Sequence, residues 1–390
     1  MTPLKIKLLA HKGAEEELFD QGKELVNTLI AADKIEFDDS DPDVLFFLTG
    51  GSERSALAGI EKGKFYVLVA TSTGNSNASA MEVKAALRRM DITSILLDGE
   101  EDETRLYLEQ LHQVKNALVS ISNQQLGLIG EVSEWLVASE IKPEILNSTL
   151  GIRLKKVAWE SLPDFKDLMA PENFLSTFSG GNPQDVEKAG QVFTLLQQTC
   201  EKEKFDALTV ECFSLVKNKG VSGCLALAKL NQEGIPTACE GDIVSAVGMI
   251  LAKALTGQVP WMANVAKIGY EKCLLAHCTI SPDLVSEFEI KTHYETGIGT
   301  AIQGNYLSDK ITVFRLDETV SRIFITEGTI LDRPKYTSAC RTQIEVKFPQ
   351  NAVDSLRDDP LGNHHLILPG NHEDILLLAS RILNLEPVIH

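Results

Sequence analysis

Short, largely apolar runs recur through the first 120 residues, and segments with apolar residues at helical spacing separate them. The runs lie at 5–11, 44–48, 66–70 and 92–97, each followed by a polar or glycine-rich turn. Between the first two, residues 15–31 place Leu18, Leu25, Leu29 and Ile30 at helical intervals; 53–61, 78–90 and 103–117 fill the other helical intervals. Runs without polar alternation are what strands buried on both faces of a parallel sheet require. Strands and helices taking turns in this way build an open, doubly wound α/β domain.

The rhythm resumes after a polar join at 122–125. A buried strand is expected at 126–129 and another at 207–210, and Ser133-Glu134-Trp135-Leu136 is expected to open a helix. Helices are expected at 186–199 and 221–230, and a strongly apolar one at 243–255 stops at Gly257. From about 259 the pattern changes. Runs rich in β-branched residues at 310–316, 320–326 and 342–348, separated by Gly, Asp and Pro, predict antiparallel strands, and a helix at 373–383 closes the chain. The expected partition is an N-terminal α/β domain over 1–123, a central α/β domain over 124–257, and a β-rich C-terminal domain with a final helix over 258–390. A chain of 390 residues is long enough for two or three cores.

Charge narrows the partners. With 55 acidic and 37 basic residues the net charge is −18, which repels phosphate backbones and anionic lipid. Neither nucleic acid nor membrane is expected as a partner. The seven cysteines, at 200, 212, 224, 239, 273, 278 and 340, form no CxxC pair and predict reduced thiols. No apolar run reaches the ~18 residues of a membrane span, and the N-terminus lacks a secretory h-region. A cytoplasmic protein is expected.

Chemistry concentrates in a few places. Cys239-Glu240-Gly241-Asp242 lies between a strand-like stretch and an apolar helix. Its carboxylates either cap the helix, whose dipole favours negative charge there, or face a ligand at the C-terminal edge of a parallel sheet. In Gly362-Asn363-His364-His365, adjacent histidines on a loop either ligate a metal or lie at the surface. His277 ends an apolar run and by itself reads as a buried, hydrogen-bonded histidine. The glycine-bearing loops at 49–53 and 71–78 match neither GxGxxG nor a Walker A loop, and neither GxSxG nor HExxH occurs.

Several segments together resemble the L-fucose isomerase/L-arabinose isomerase superfamily, in its short fucose isomerase-like branch. They are TGGSE at 49–53, GNSNASAMEV at 74–83, IGEVSEWLVAS at 129–139, GIPTACEGDIVSAVGMIL at 234–251, LLAHCTIS at 274–281 and GNHHLILPGNH at 362–372. The resemblance implies two Rossmann-like doubly wound parallel-sheet domains followed by a β-rich domain, a homo-oligomer, and a metal-dependent aldose–ketose isomerase acting on a small sugar through an enediolate. It implies Mn2+, or another divalent cation such as Mg2+. Transferred by motif, Glu240 becomes a metal ligand and a catalytic carboxylate; Asp242, two residues on, and Glu211 are the candidate substitutes for a second catalytic carboxylate. One of His364 and His365 becomes the C-terminal metal histidine, and His277, Glu211 and Trp135 become substrate-side residues. The family's second metal carboxylate falls in Trp261-Met262-Ala263-Asn264-Val265, where Asn264 takes its place. An amide oxygen can coordinate a hard cation, but it carries no charge and cannot act as a base. The alternative expectation is therefore a catalytically silent sugar-binding or regulatory relative.

Overall fold

The computed structural model describes residues 1–389 and divides into two compact units. The first comprises Met1–Val119 with Leu378–Leu385, the second Ser120–Leu377 with the last few residues.

The first unit is built on a five-stranded parallel sheet in the order Ile35–Phe37, Leu4–Leu9, Val44–Phe47, Tyr66–Ala70, Ser94–Asp98. Every residue of Val44–Phe47 and of Tyr66–Ala70 is buried, which explains their lack of polar alternation. The helix expected over 53–61 ends early, at Leu57, because Gly59 takes a left-handed φ of +82° and turns the chain out of it.

In the second unit a four-stranded parallel sheet runs in the order Arg153–Val157, Gln125–Ile129, Ala207–Val210, Thr237–Cys239. Six antiparallel strands then close on themselves. Around the ring they are Lys310–Leu316, His364–Pro369, Trp261–Ile268, Lys272–His277, Thr342–Lys347 and Arg322–Asp332, the last pairing back to the first. The α/β sheets and the antiparallel C-terminal barrel agree with the expected architecture. The helix Ile243–Thr256 packs against strands of both the sheet and the barrel, so it is apolar almost all round. Gly248 permits that approach: a Cβ there would stand 2.4 Å from Leu366 Cδ1.

Two local expectations are corrected. Residues 133–136 form a turn and not the start of a helix. The Ser133 amide donates to the Glu240 carbonyl at 3.0 Å, which holds this segment against the turn at Glu240, and helix begins only at Pro143, whose fixed φ suits a first helical position. His364 and His365 do not sit on a surface loop. They open a strand hydrogen-bonded on both sides, and each is about 1% exposed. No helix among the described residues is long and apolar enough to cross a membrane.

Candidate active site

Glu240 stands where the strand Thr237–Cys239 gives way to the helix Ile243–Thr256. The turn is tight: Asp242 N–H donates to Cys239 O (3.1 Å) and Gly241 N–H to Val210 O (3.0 Å). Both Glu240 (φ +63°) and Gly241 (φ +72°) are left-handed. Glycine is required at 241, since a Cβ would lie 2.3 Å from the Glu131 carbonyl oxygen. A left-handed glutamate costs about 1–3 kcal/mol and persists only where its surroundings over-determine it, as at functional sites.

Those surroundings grip both carboxylate oxygens. Trp135 donates its indole N–H to Glu240 Oε2 at 2.6 Å. Glu240 Oε1 faces His364 Nε2 at 3.7 Å and His277 Nε2 at 3.8 Å, and the two imidazoles meet edge to face, 5.6 Å between centroids. Burial pushes the Glu240 carboxyl up, but the two histidines and the Trp135 indole more than offset this and hold it at about 2. Glu240 is thus ionised across the physiological range.

The two histidines differ in which nitrogen carries the proton. Asp242 is fully buried; its Oδ1 accepts from Ser245 N–H (2.7 Å), capping the helix, and its Oδ2 contacts His364 Nδ1 at 2.9 Å. Burial pushes the Asp242 carboxyl up, while His364, the Arg315 guanidinium and the Ser245 amide bring it below its ordinary value. A carboxylate only accepts, so His364 donates from Nδ1, and in the neutral ring its Nε2 presents a lone pair toward Glu240. That Nε2 is buried with no hydrogen-bond partner. In His277 the order is reversed. Thr279 N–H donates to Nδ1 at 3.1 Å, so the neutral ring carries its proton on Nε2, pointing at Glu240.

Arg315, 1% exposed, holds the frame together. It donates to Leu361 O (3.0 Å), His364 O (2.6 Å), Ala138 O (2.7 Å) and Ser139 Oγ (3.0 Å), and its Nη1 lies 3.8 Å from Asp242 Oδ2. Sequence reading passed it over. Its one signal is an arginine set among the apolar residues of the strand KITVFRL, five positions after the lysine that opens it.

The residues suit a divalent cation. One carboxylate oxygen and two ring nitrogens, from Glu240, His277 and His364, lie within 4.8 Å of one another, and His364 already offers an orphaned lone pair. Glu240 and His364 are prepared as they stand; His277 would first have to move its proton to Nδ1 and give up the Thr279 contact.

The other singled-out residues sit elsewhere. His365 contacts Asn363 O through Nδ1 (3.0 Å) and packs edge-on against Phe324, away from the Glu240–His277–His364 group. Asn264 accepts a hydrogen bond on its side-chain oxygen from the Asn363 amide. Glu211 accepts from Glu131 N–H (2.9 Å) and from the Ser214 hydroxyl, and it lines a neighbouring cavity of about 560 Å³ with Gly130, Trp159 and Lys219. Asp242 reaches the site through His364 rather than directly.

No family model matches the chain. Curated relatives do. Sulfoquinovose isomerases of Priestia aryabhattai and of Priestia megaterium (strain ATCC 12872 / QMB1551) are each 24% identical over 343 residues, covering 81% of this chain and 76% of theirs. That of Alkalicoccus urumqiensis is 22% identical over 338 residues with the same coverage.

Proposed function

We propose that the chain is a sugar aldose–ketose isomerase, an intramolecular oxidoreductase that moves a carbonyl between C1 and C2. The observation that carries this is Glu240: an ionised carboxylate, strained into a left-handed turn at a sheet's C-terminal edge and faced by two histidine nitrogens. The relatives bear the name of a sugar isomerase along four-fifths of this chain, the class that the fucose/arabinose resemblance also implies.

In the proposed mechanism Glu240 accepts the C2 proton and returns it at C1. Trp135 fixes the carboxylate's orientation, and His277 offers its Nε2 proton to a sugar oxygen. Asp242, backed by Arg315, keeps the His364 lone pair turned inward. A divalent cation, manganese or magnesium, held by Glu240 and His364, would draw electron density from the sugar's carbonyl and hydroxyl oxygens. The test is to incubate the protein with manganese and a panel including sulfoquinovose, L-fucose and L-arabinose in deuterated water. Ketose formation, with solvent deuterium entering the product at C1, is the expected result. Neither ketose nor exchange with any sugar of the panel would sink the proposal.

A further inference from the structure

The parallel sheet of the second unit has another place where its topology favours a ligand. From Gln125–Ile129 the chain crosses to Arg153–Val157 on one side; from Ala207–Val210 it crosses to Thr237–Cys239 on the other. Neighbouring strands whose connections leave in opposite directions open a crevice at their C-terminal ends, where open α/β sheets bind ligands. The cavity of about 560 Å³ lies at that crevice. Gly130 and Glu131 follow one strand, Glu211 follows the other, and all three line it.

The walls fit one another closely. Gly130, at φ +83°, has no room for a side chain: a Cβ would stand 2.3 Å from Glu211 Oε2 and 2.9 Å from Trp159 Nε1. Trp159 donates its indole N–H to Glu211 O (3.3 Å), which seats the ring in the cavity wall. Glu211 Oε2 accepts from Glu131 N–H (2.9 Å) and Oε1 from the Ser214 hydroxyl, so the carboxylate is fixed while each oxygen keeps a lone pair. The helix Cys212–Lys219 presents Ser214 and Asn218 to the cavity, whereas its Phe213 packs against Trp135 on the Glu240 side. Neither Glu240 nor either of its two histidines lines the cavity.

Charge and shape select the occupant. Lys219 faces Asp164 at 3.6 Å and is committed there, which leaves no free positive group on the wall to hold a phosphate. Glu131 is paired with Lys156, and among the described residues the cavity's acids form no cation-binding cluster. The rest of the wall is an indole with Leu162, Phe165 and Leu215, together with the oriented polar groups of Glu211 and Asn218. A pyranose matches that mixture, offering C–H faces to the indole and hydroxyls to the carboxylate and amide.

We infer that this cavity is a second carbohydrate site, taking a neutral pyranose in its closed-ring form, apart from the centre at Glu240. It goes beyond the isomerase reading and does not depend on it.

The experiment titrates the full chain by calorimetry with the methyl pyranosides of glucose, galactose, mannose and fucose, whose locked rings cannot isomerise. The parent is compared with Glu240→Gln, Trp159→Ala and Asn218→Ala, each also melted, and inorganic phosphate and spermidine serve as rival probes. At least one pyranoside is expected to bind the parent and Glu240→Gln alike. Trp159→Ala should weaken that binding about tenfold and Asn218→Ala about threefold. Asn218 is exposed, so its variant should melt with the parent and decides the matter even where Trp159→Ala does not fold. A parent that binds none of the pyranosides overturns the inference, as does binding that both cavity variants leave unchanged. Trp159-dependent binding of phosphate or spermidine in place of a pyranoside overturns it as well. Ketose formation is read separately, so this inference and the isomerase proposal can fail independently.

Discussion

Of the two adjacent histidines only His364 joins Glu240, and the role of its neighbour is a matter of protonation. Burial, reinforced by the Arg315 charge, pushes the His365 imidazole down to about 3. A base whose proton affinity falls on folding contributes stability that is complete above its unfolded pKa of about 6.5 and is lost as pH falls toward the folded value. Acidification from about 6.5 to 3 should therefore cost roughly 1.4 kcal/mol per pH unit through this one residue. His365→Phe retains a ring against Phe324 and removes both the titration and the orphaned Nε2. Urea melts across that pH range should show a shallower acid slope for the variant; an unchanged slope would refute the attribution.

Among the elements, the strand–turn–helix around Glu240 carries the geometry, and its weak point is Gly241. Gly241→Ala adds a Cβ 2.3 Å from the Glu131 carbonyl, at a φ that L-residues rarely adopt. Destabilisation of about 2–4 kcal/mol is expected, with activity falling further than melting because Glu240 must move with the turn. Thermal melts and kcat measured together check this, and a variant of unchanged stability would show that the turn tolerates displacement. This turn was legible in the sequence because an acid at a strand-to-helix junction has a local signature. The parallel strands were legible for the same kind of reason: Val44–Phe47 and Tyr66–Ala70 are buried throughout and read as uninterrupted apolar runs. The barrel strands Trp261–Ile268 and Lys272–His277 went unread, because pairing between residues far apart in the chain defines them more than their own period does.

At the scale of the whole molecule, the site joins two architectures within the second unit: Glu240 comes from the parallel sheet's edge, His277 and His364 from the barrel. That is why Arg315 escaped sequence reading; it matters only once the barrel closes. A cation held by Glu240 and His364 should fasten sheet to barrel. Manganese should therefore slow amide exchange in Thr237–Cys239 and His364–Pro369 together, by up to about 2.7 kcal/mol of protection at a hundredfold excess over Kd. Hydrogen exchange with and without a chelator measures this, and protection confined to one of the two strands would contradict a shared ligand set.

The closed ring of strands also acts as a counting device. In an open sheet an edge strand can slide by one residue and exchange which of two neighbours faces a given side. His364–Pro369 has partners on both flanks, and the ring returns on itself through the pairing of Lys310–Leu316 with Arg322–Asp332. A one-residue slip there would have to be absorbed at another seam, because closure fixes the total stagger. Two identical side chains placed side by side are thus kept from trading places, and the molecule tells one imidazole from the next by arithmetic around a loop rather than by any difference between them.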